Sequence, residues 1–258
     1  MISSIRPHIH CRYKRWIRPH LSPKWQQRVK LLWTVWGYYP ILTTPCLKLG
    51  KRIGLLFDLL WIDWNVQHGH WPGEIARVIK VIGKRQAERG EVIVEAGCWQ
   101  GGSTAKFSII CSMLGYKLLV FDSFAGVEPQ PGNPFSGQYA AALELVKKNV
   151  SRYGEIDVCE FVPGWFADTL AKQPVQHPIS VVYLDCDLAK GTYEVLQGIL
   201  PSLRQNGTVC SQDYHIHEVK VLLDSDDTWS EFALPKPKII DRYRNLAVFT
   251  IKRHEAFC

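Results

Sequence analysis

The chain has 258 residues, 47% of them hydrophobic and 21% charged, an ordinary globular composition that excludes a disordered or fibrous polymer and allows one large domain with an appendage. The formal net charge of +7 is unevenly spread: residues 1–60 carry 11 Lys and Arg against one acid, Asp58, while residues 61–258 carry 20 against 23. None of the eight cysteines forms a C-x-x-C pair and several sit in apolar runs, which points to small buried hydrophobes in a reducing, cytoplasmic compartment rather than a disulfide framework.

The basic segment 1–60 reads as an arm separate from the body at 61–258. Its apolar stretches, "LLWTVWGYYPIL" and "IGLLFDLLWI", are broken by Gly37, Pro40 and Asp58 and fall short of the roughly 20 residues that cross a bilayer. They come late, are aromatic, and lack a small-residue cleavage site, so no signal peptide is expected. Two roles fit equally: helices packed on the body or on a second copy of the chain, or a peripheral contact with an anionic membrane surface.

Beyond residue 60, short apolar runs alternate with helical stretches. Strands are predicted at 91–95, 117–122, 158–162, 180–185, 207–211 and 246–252, with a helix over 74–86 ahead of the first and "ELVKKNV" and "TYEVLQGILPSL" filling later crossovers. Apolar strands linked this way imply an α/β fold with a parallel sheet covered on both faces. The Gly- and Pro-rich stretch 124–139 reads as a long loop directly after a strand, placed to cover a site.

The first strand runs into "VEAGCWQGGST", a glycine turn opening a helix, where free backbone N–H groups face a ligand. A phosphate loop needs lysine where Ser103 stands. A dinucleotide fingerprint needs glycine where Trp99 stands, and the indole would block the pyrophosphate. S-adenosylmethionine fits better: an acid at the strand end (Glu95), a glycine turn (Gly97, Gly101, Gly102), and a second strand-end acid (Asp122) to grip the ribose. Ser103 and Ser123 are further candidate cofactor contacts.

These segments, with "FDSFAGV", "FVPGWFADTL" and "VVYLDCDLAKGTYEVLQGILPSLRQNG" followed by "QDY", resemble in order and spacing the macrocin O-methyltransferase (TylF) family of sugar O-methyltransferases, over about residues 65–252. The resemblance implies a Rossmann-like class I methyltransferase fold, a mostly parallel seven-stranded sheet with helices on both faces. It also implies S-adenosylmethionine as donor and Mg2+ held by strand-end aspartates. Carried over residue by residue, Asp185 is a metal ligand, Asp187 the general base, and Trp165 a cover for the adenine. The family has two adjacent aspartates where this chain has Gln212 and Asp213, so Gln212 would serve as a neutral ligand and weaken metal affinity. Restoring the acid, Gln212→Asp, is then expected to tighten magnesium binding with the fold intact. "LAKGT" departs from the aromatic and acidic residues usual after "LDCD", which bears on the acceptor rather than the cofactor.

Methyl transfer to a hydroxyl needs the oxygen held in line and its proton removed, and Asp187 with His215 as auxiliary base or acceptor contact suits that task. An N-cap is the bland alternative for Asp187. The H-x-H pairs at His68/His70 and His215/His217 suit zinc hydrolysis only with a further cluster that the sequence lacks, and "HGH" precedes the sheet. A different class of reading is a degenerate methyltransferase body serving as a non-catalytic binding protein at an anionic surface. The expected partners are a small-molecule or glycan acceptor and a second copy of the chain, with no specific nucleic acid.

Overall fold

The computed structural model describes residues 31–130 and 135–252. After helical residues 31–37 and a 3-10 turn at Tyr39–Thr43, the order is α1 (Leu49–Asn65), α2 (Pro72–Ile82), β1 (Val92–Ala96), α3 (Gly102–Leu114), β2 (Lys117–Asp122), α4 (Leu143–Tyr153), β3 (Cys159–Pro163) and β4 (Ile179–Leu184). There follow α5 (Ala189–Ile199), β5 (Leu203–Ser211), the short α6 (His217–Asp224) and α7 (Asp226–Glu231), β6 (Lys238–Tyr243) and β7 (Leu246–Thr250). One seven-stranded sheet has the order β3-β2-β1-β4-β5-β7-β6. The first five strands are parallel, and β7 runs antiparallel to both β5 and β6. This is the doubly wound architecture expected, with its strand-order reversal between β1 and β4, where such sheets open a crevice beyond their carboxyl ends.

Two-residue alternation divides the inner strands between two cores. Ile93, Leu118, Val120 and Tyr183 face one layer with α1 to α4; Val94, Ala96, Leu119, Phe121 and Leu184 face the other with α5 and α6. Helix α3 is buried along nearly its whole length because α1, α2 and α4 all pack around it, which is why its sequence "AKFSIIC" is apolar on every side except for Lys106 and Ser108. The predicted helix 74–86 stops at Ile82, ended by Gly83, whose N–H bonds back to the Ile79 carbonyl. The boundary expected at residue 60 falls inside α1, which buries Leu55, Leu59 and Ile62 in the first core. Residues 1–30 of the expected arm lie outside the described residues.

β6, "KIIDRY", is a strand that the apolar pattern does not predict. It is the sheet's outer edge and almost wholly exposed, so no burial constraint imposes alternation on it.

Candidate functional site

The ladder carries on past the strand ends and fixes the loops that follow. The Gly97 N–H donates to Phe121 O (2.9 Å), Asp185 N–H to Ala96 O (2.9 Å) and Gln212 N–H to Leu184 O (2.8 Å). The ends of β1, β2, β4 and β5 are thereby drawn around one cavity of about 260 Å³, onto which residues 126–128 and Tyr139 also open. Residues 131–134 of the expected covering loop lie outside the described residues. At the near end, Glu128 is tied to α5 by Lys190 Nζ at 2.6 and 2.8 Å.

Gly97, Ser103, Asp122, Ser123, Trp165, Asp185, Asp187, Gln212, Asp213 and His215 all line this cavity. Gly97 (φ 88°) is required by packing: a Cβ there would lie 1.9 Å from the Asp185 carbonyl oxygen. Asp122 holds the turn together, since its Oδ2 accepts the N–H groups of Cys98 (2.7 Å) and Trp99 (3.2 Å) and its Oδ1 that of Phe124 (2.7 Å). One Oδ1 lone pair is left to meet a ligand hydroxyl. The Ser123 hydroxyl is used locally, donating to Gly126 O and accepting from Ala125 N–H.

Two expected cofactor contacts stand elsewhere. Gly101 (φ 80°) caps α3 and lies against Val146, where a Cβ would come within 3.0 Å. Glu95 points from β1 into the layer beneath α3, fully buried, and neither carboxyl oxygen has a hydrogen-bond partner among the described residues. Burial pushes its pKa up to about 8, the nearby Ser103 and Thr104 hydroxyls offsetting part of the shift without the alignment of a hydrogen bond, and Asp122 adding to it. Between 4.5 and about 8 the unfolded chain has released a proton that the folded chain keeps, so this group makes stability fall as pH rises through that window, by about 1.4 kcal/mol per unit. Glu95→Gln should remove that slope in urea melts between about pH 5.5 and about pH 7.5; equal slopes in both proteins would show Glu95 ionised throughout.

The aspartates form a crowded acidic wall. Asp213, 3% exposed, accepts the Asp187 N–H at 2.8 Å, and burial with the Asp187 charge raises its pKa to about 7. Asp185 keeps a little surface on the cavity wall, yet burial and the charges of Asp213 and Asp187 push it well above the carboxylate range. Asp187 is raised mainly by burial, eased by His215. Its backbone is left-handed (φ 60°), and the N-cap of α5 is Leu188, so the capping alternative for Asp187 fails. Burial holds all three toward the neutral form; they are hard oxygen donors, but their carboxyl oxygens do not converge as closely as those of a ready ligand set.

Gln212 does not join that donor set. Its amide nitrogen donates to Glu74 Oε2 (2.8 Å) and its Oε1 accepts the Tyr183 hydroxyl (3.3 Å). Glu74 also accepts the N–H groups of Trp71 and Asn245. Glutamine is therefore explained by its buried carboxylate neighbour, and Gln212→Asp, expected from the sequence to leave the fold intact, would replace a donor by a like charge. The outcome now expected is a stability loss of about 1–3 kcal/mol in urea melts.

Sequence reasoning set "HGH" aside, but His68 and His70 line the cavity. They are stacked at 4.6 Å and follow α1 in a largely buried cluster with Asp63 of α1 and Lys106 of α3. His68 Nε2 lies 3.0 Å from Asp63 Oδ1, Tyr38 Oη donates to Asp63 Oδ2 (2.8 Å), and the fully buried Lys106 bonds both Asp63 and His70 Nε2 (2.7 Å). Asp63, His68 and His70 are spaced like metal ligands, but the Lys106 ammonium fills the place of the cation. Burial alone would raise Asp63; Lys106 and His68 outweigh it and hold the carboxyl at about 2. His215 and His217 sit after β5, His217 opening α6, so they share no strand face; His215 alone reaches the cavity.

The macrocin-O-methyltransferase (TylF) family model matches residues 76–226. A similar protein is the 8-demethyl-8-(2,3-dimethoxy-alpha-L-rhamnosyl)-tetracenomycin-C 4'-O-methyltransferase of Streptomyces olivaceus, 34% identical over 140 residues, 48% of this chain and 53% of that one. The chain thus spans about half the length of the curated relatives it matches. Among solved structures, the O-methyltransferase NovP superposes with a TM-score of 0.60 at 22% identity, over 72% of this chain and 83% of its own. The SAH-bound Podospora anserina methyltransferase PaMTH1 superposes at 0.52 and 12% identity, over 78% and 88%. Since the family match runs from α2 through the turn, Asp122 and the aspartates to the start of α7, the chain belongs to the macrocin-O-methyltransferase (TylF) family.

Proposed function

We propose that the protein is an S-adenosylmethionine-dependent O-methyltransferase acting on a hydroxyl of a sugar or related glycan acceptor. The observation that carries this reading is the convergence of the glycine turn, Asp122 and three aspartates on one cavity at the strand-order reversal. The relative named above is by name a 4'-O-methyltransferase of a rhamnosyl-bearing tetracenomycin, and a neighbour of the same fold was solved with SAH.

The turn leaves room for the cofactor's ribose beside Asp122, and Trp165 offers a flat face for its base. The acceptor hydroxyl would lie against Asp187, in line with the transferring methyl. As the C–O bond forms and the C–S bond breaks, the hydroxyl proton passes to the Asp187 carboxylate, whose raised pKa makes it the stronger acceptor. His215, exposed at the mouth, relays that proton to water. Asp185 and Asp213 would hold a magnesium ion, which when bound would acidify and orient the hydroxyl.

Calorimetric titration with S-adenosylmethionine tests the reading: saturable binding is expected, and none at millimolar cofactor would end it. Magnesium should bind the wild type more tightly than Asp185→Asn with cofactor present; equal affinity would remove the metal from the mechanism.

A further inference from the structure

Helix α1 has a second face that the fold does not use. While Leu55, Leu59 and Ile62 enter the core, Leu49 (63% exposed), Ile53 (42%), Phe57 (66%), Trp61 (61%) and Trp64 (74%) stand in solvent. Their spacing of four, four, four and three residues sets them in one stripe along the helix, about 22 Å long at 1.5 Å per residue. In the preceding helical residues Leu32 is also exposed, at 67%.

We propose that this face docks the protein onto an anionic membrane surface. Charge selects that occupant over a second copy of the chain: residues 1–60 carry 11 Lys and Arg against Asp58 alone, and residues 1–30 carry eight with no acid. Two copies joined through so basic a stretch of sequence would repel, whereas anionic headgroups attract it. Lys48 and Lys51 are exposed at the amino end of the stripe, and tryptophan and phenylalanine are the side chains that settle at the headgroup boundary. The mode is peripheral, since no helix among the described residues is long and apolar enough to cross a membrane.

The stripe also leads to the cavity. Trp64 is three residues before Gln67, and Gln67 to His70 form one wall of the cavity, so the end of the stripe lies within about 10 Å of that wall. Under the methyl-transfer reading, on which this last step rests, a docked cavity is offered acceptors carried on lipid in preference to free ones.

Flotation of the full chain with vesicles tests the docking with no cofactor present, so its failure is separate from any failure of the methyl-transfer reading. Vesicles of phosphatidylcholine alone are compared with vesicles holding about 30 mol% phosphatidylglycerol, at about 50 mM and about 500 mM salt. Binding to the anionic vesicles at low salt is expected, fading at high salt. It should fall at least about tenfold in the triple variant Phe57→Ser, Trp61→Ser, Trp64→Ser, with the thermal midpoint unchanged because all three side chains are exposed. No flotation at low salt would overturn the proposal. So would a triple variant that still floats while light scattering shows a dimer turned to monomer, which gives the face to a second copy. Flotation lost only on deleting residues 1–30 would overturn it too.

Discussion

Lys106→Met should lower the free energy of unfolding by about 3–5 kcal/mol, read in urea melts near neutral pH. The ammonium is fully buried and bonded to Asp63 and His70; methionine matches its length but leaves the Asp63 carboxylate without its cation. Asp63 is now held at about 2, below its ordinary 3.8, so the cluster's contribution is present above that value and lost as pH falls toward 2. Without Lys106, burial raises the carboxyl instead, and the variant should weaken as pH rises through the new value, reversing the sign. The double variant Lys106→Met, Asp63→Asn removes the stranded charge and should recover at least half of the loss. A single variant as stable as wild type would show that Asp63 is already neutral or hydrated. Because His68 and His70 line the cavity, the single variant should bind S-adenosylmethionine less tightly even where it remains folded.

The sequence made most of this site legible for a physical reason. Asp122, Asp185 and Asp213 each close or follow an apolar run, and in a parallel sheet such positions meet at one edge whatever the intervening helices contain. The Lys106 cluster was hidden because its bonds to Asp63 and His70 span 43 and 36 residues, and no local period joins them. One signal was present: Lys106 stands alone inside the apolar stretch from Ala105 to Cys111, and a charge there must find a partner. Glu95 was misplaced although the two-residue period contains the answer. It shares a face with Ile93, which packs toward α3, and only the turn beyond Ala96 reaches the crevice. β6 escaped because an exposed edge strand keeps no apolar alternation.

Asp122→Asn should weaken S-adenosylmethionine binding at least about 100-fold, roughly 2.7 kcal/mol, which is more than the loss of one ribose hydrogen bond would give. The carboxylate accepts three backbone N–H groups from two loops, and an amide has only one accepting oxygen. If that oxygen faces Cys98 and Trp99, the NH2 meets the Phe124 N–H; flipped, it meets the other two. Either orientation sets donor against donor in a part-buried site, at a cost of about 1–3 kcal/mol. Trp99 (φ 45°) and Phe124 (φ 56°) are both held in left-handed backbone, a conformation that persists only while its surroundings enforce it. Releasing them would relax the turn and the start of the covering loop together, so the cofactor loses the cradle as well as the charge. Asp122→Glu keeps the charge one methylene out of place and should fall between. Calorimetry on the folded variants checks the order. If Asp122→Asn binds S-adenosylmethionine within about threefold of wild type, less than about 0.7 kcal/mol, the cofactor does not rest on this turn.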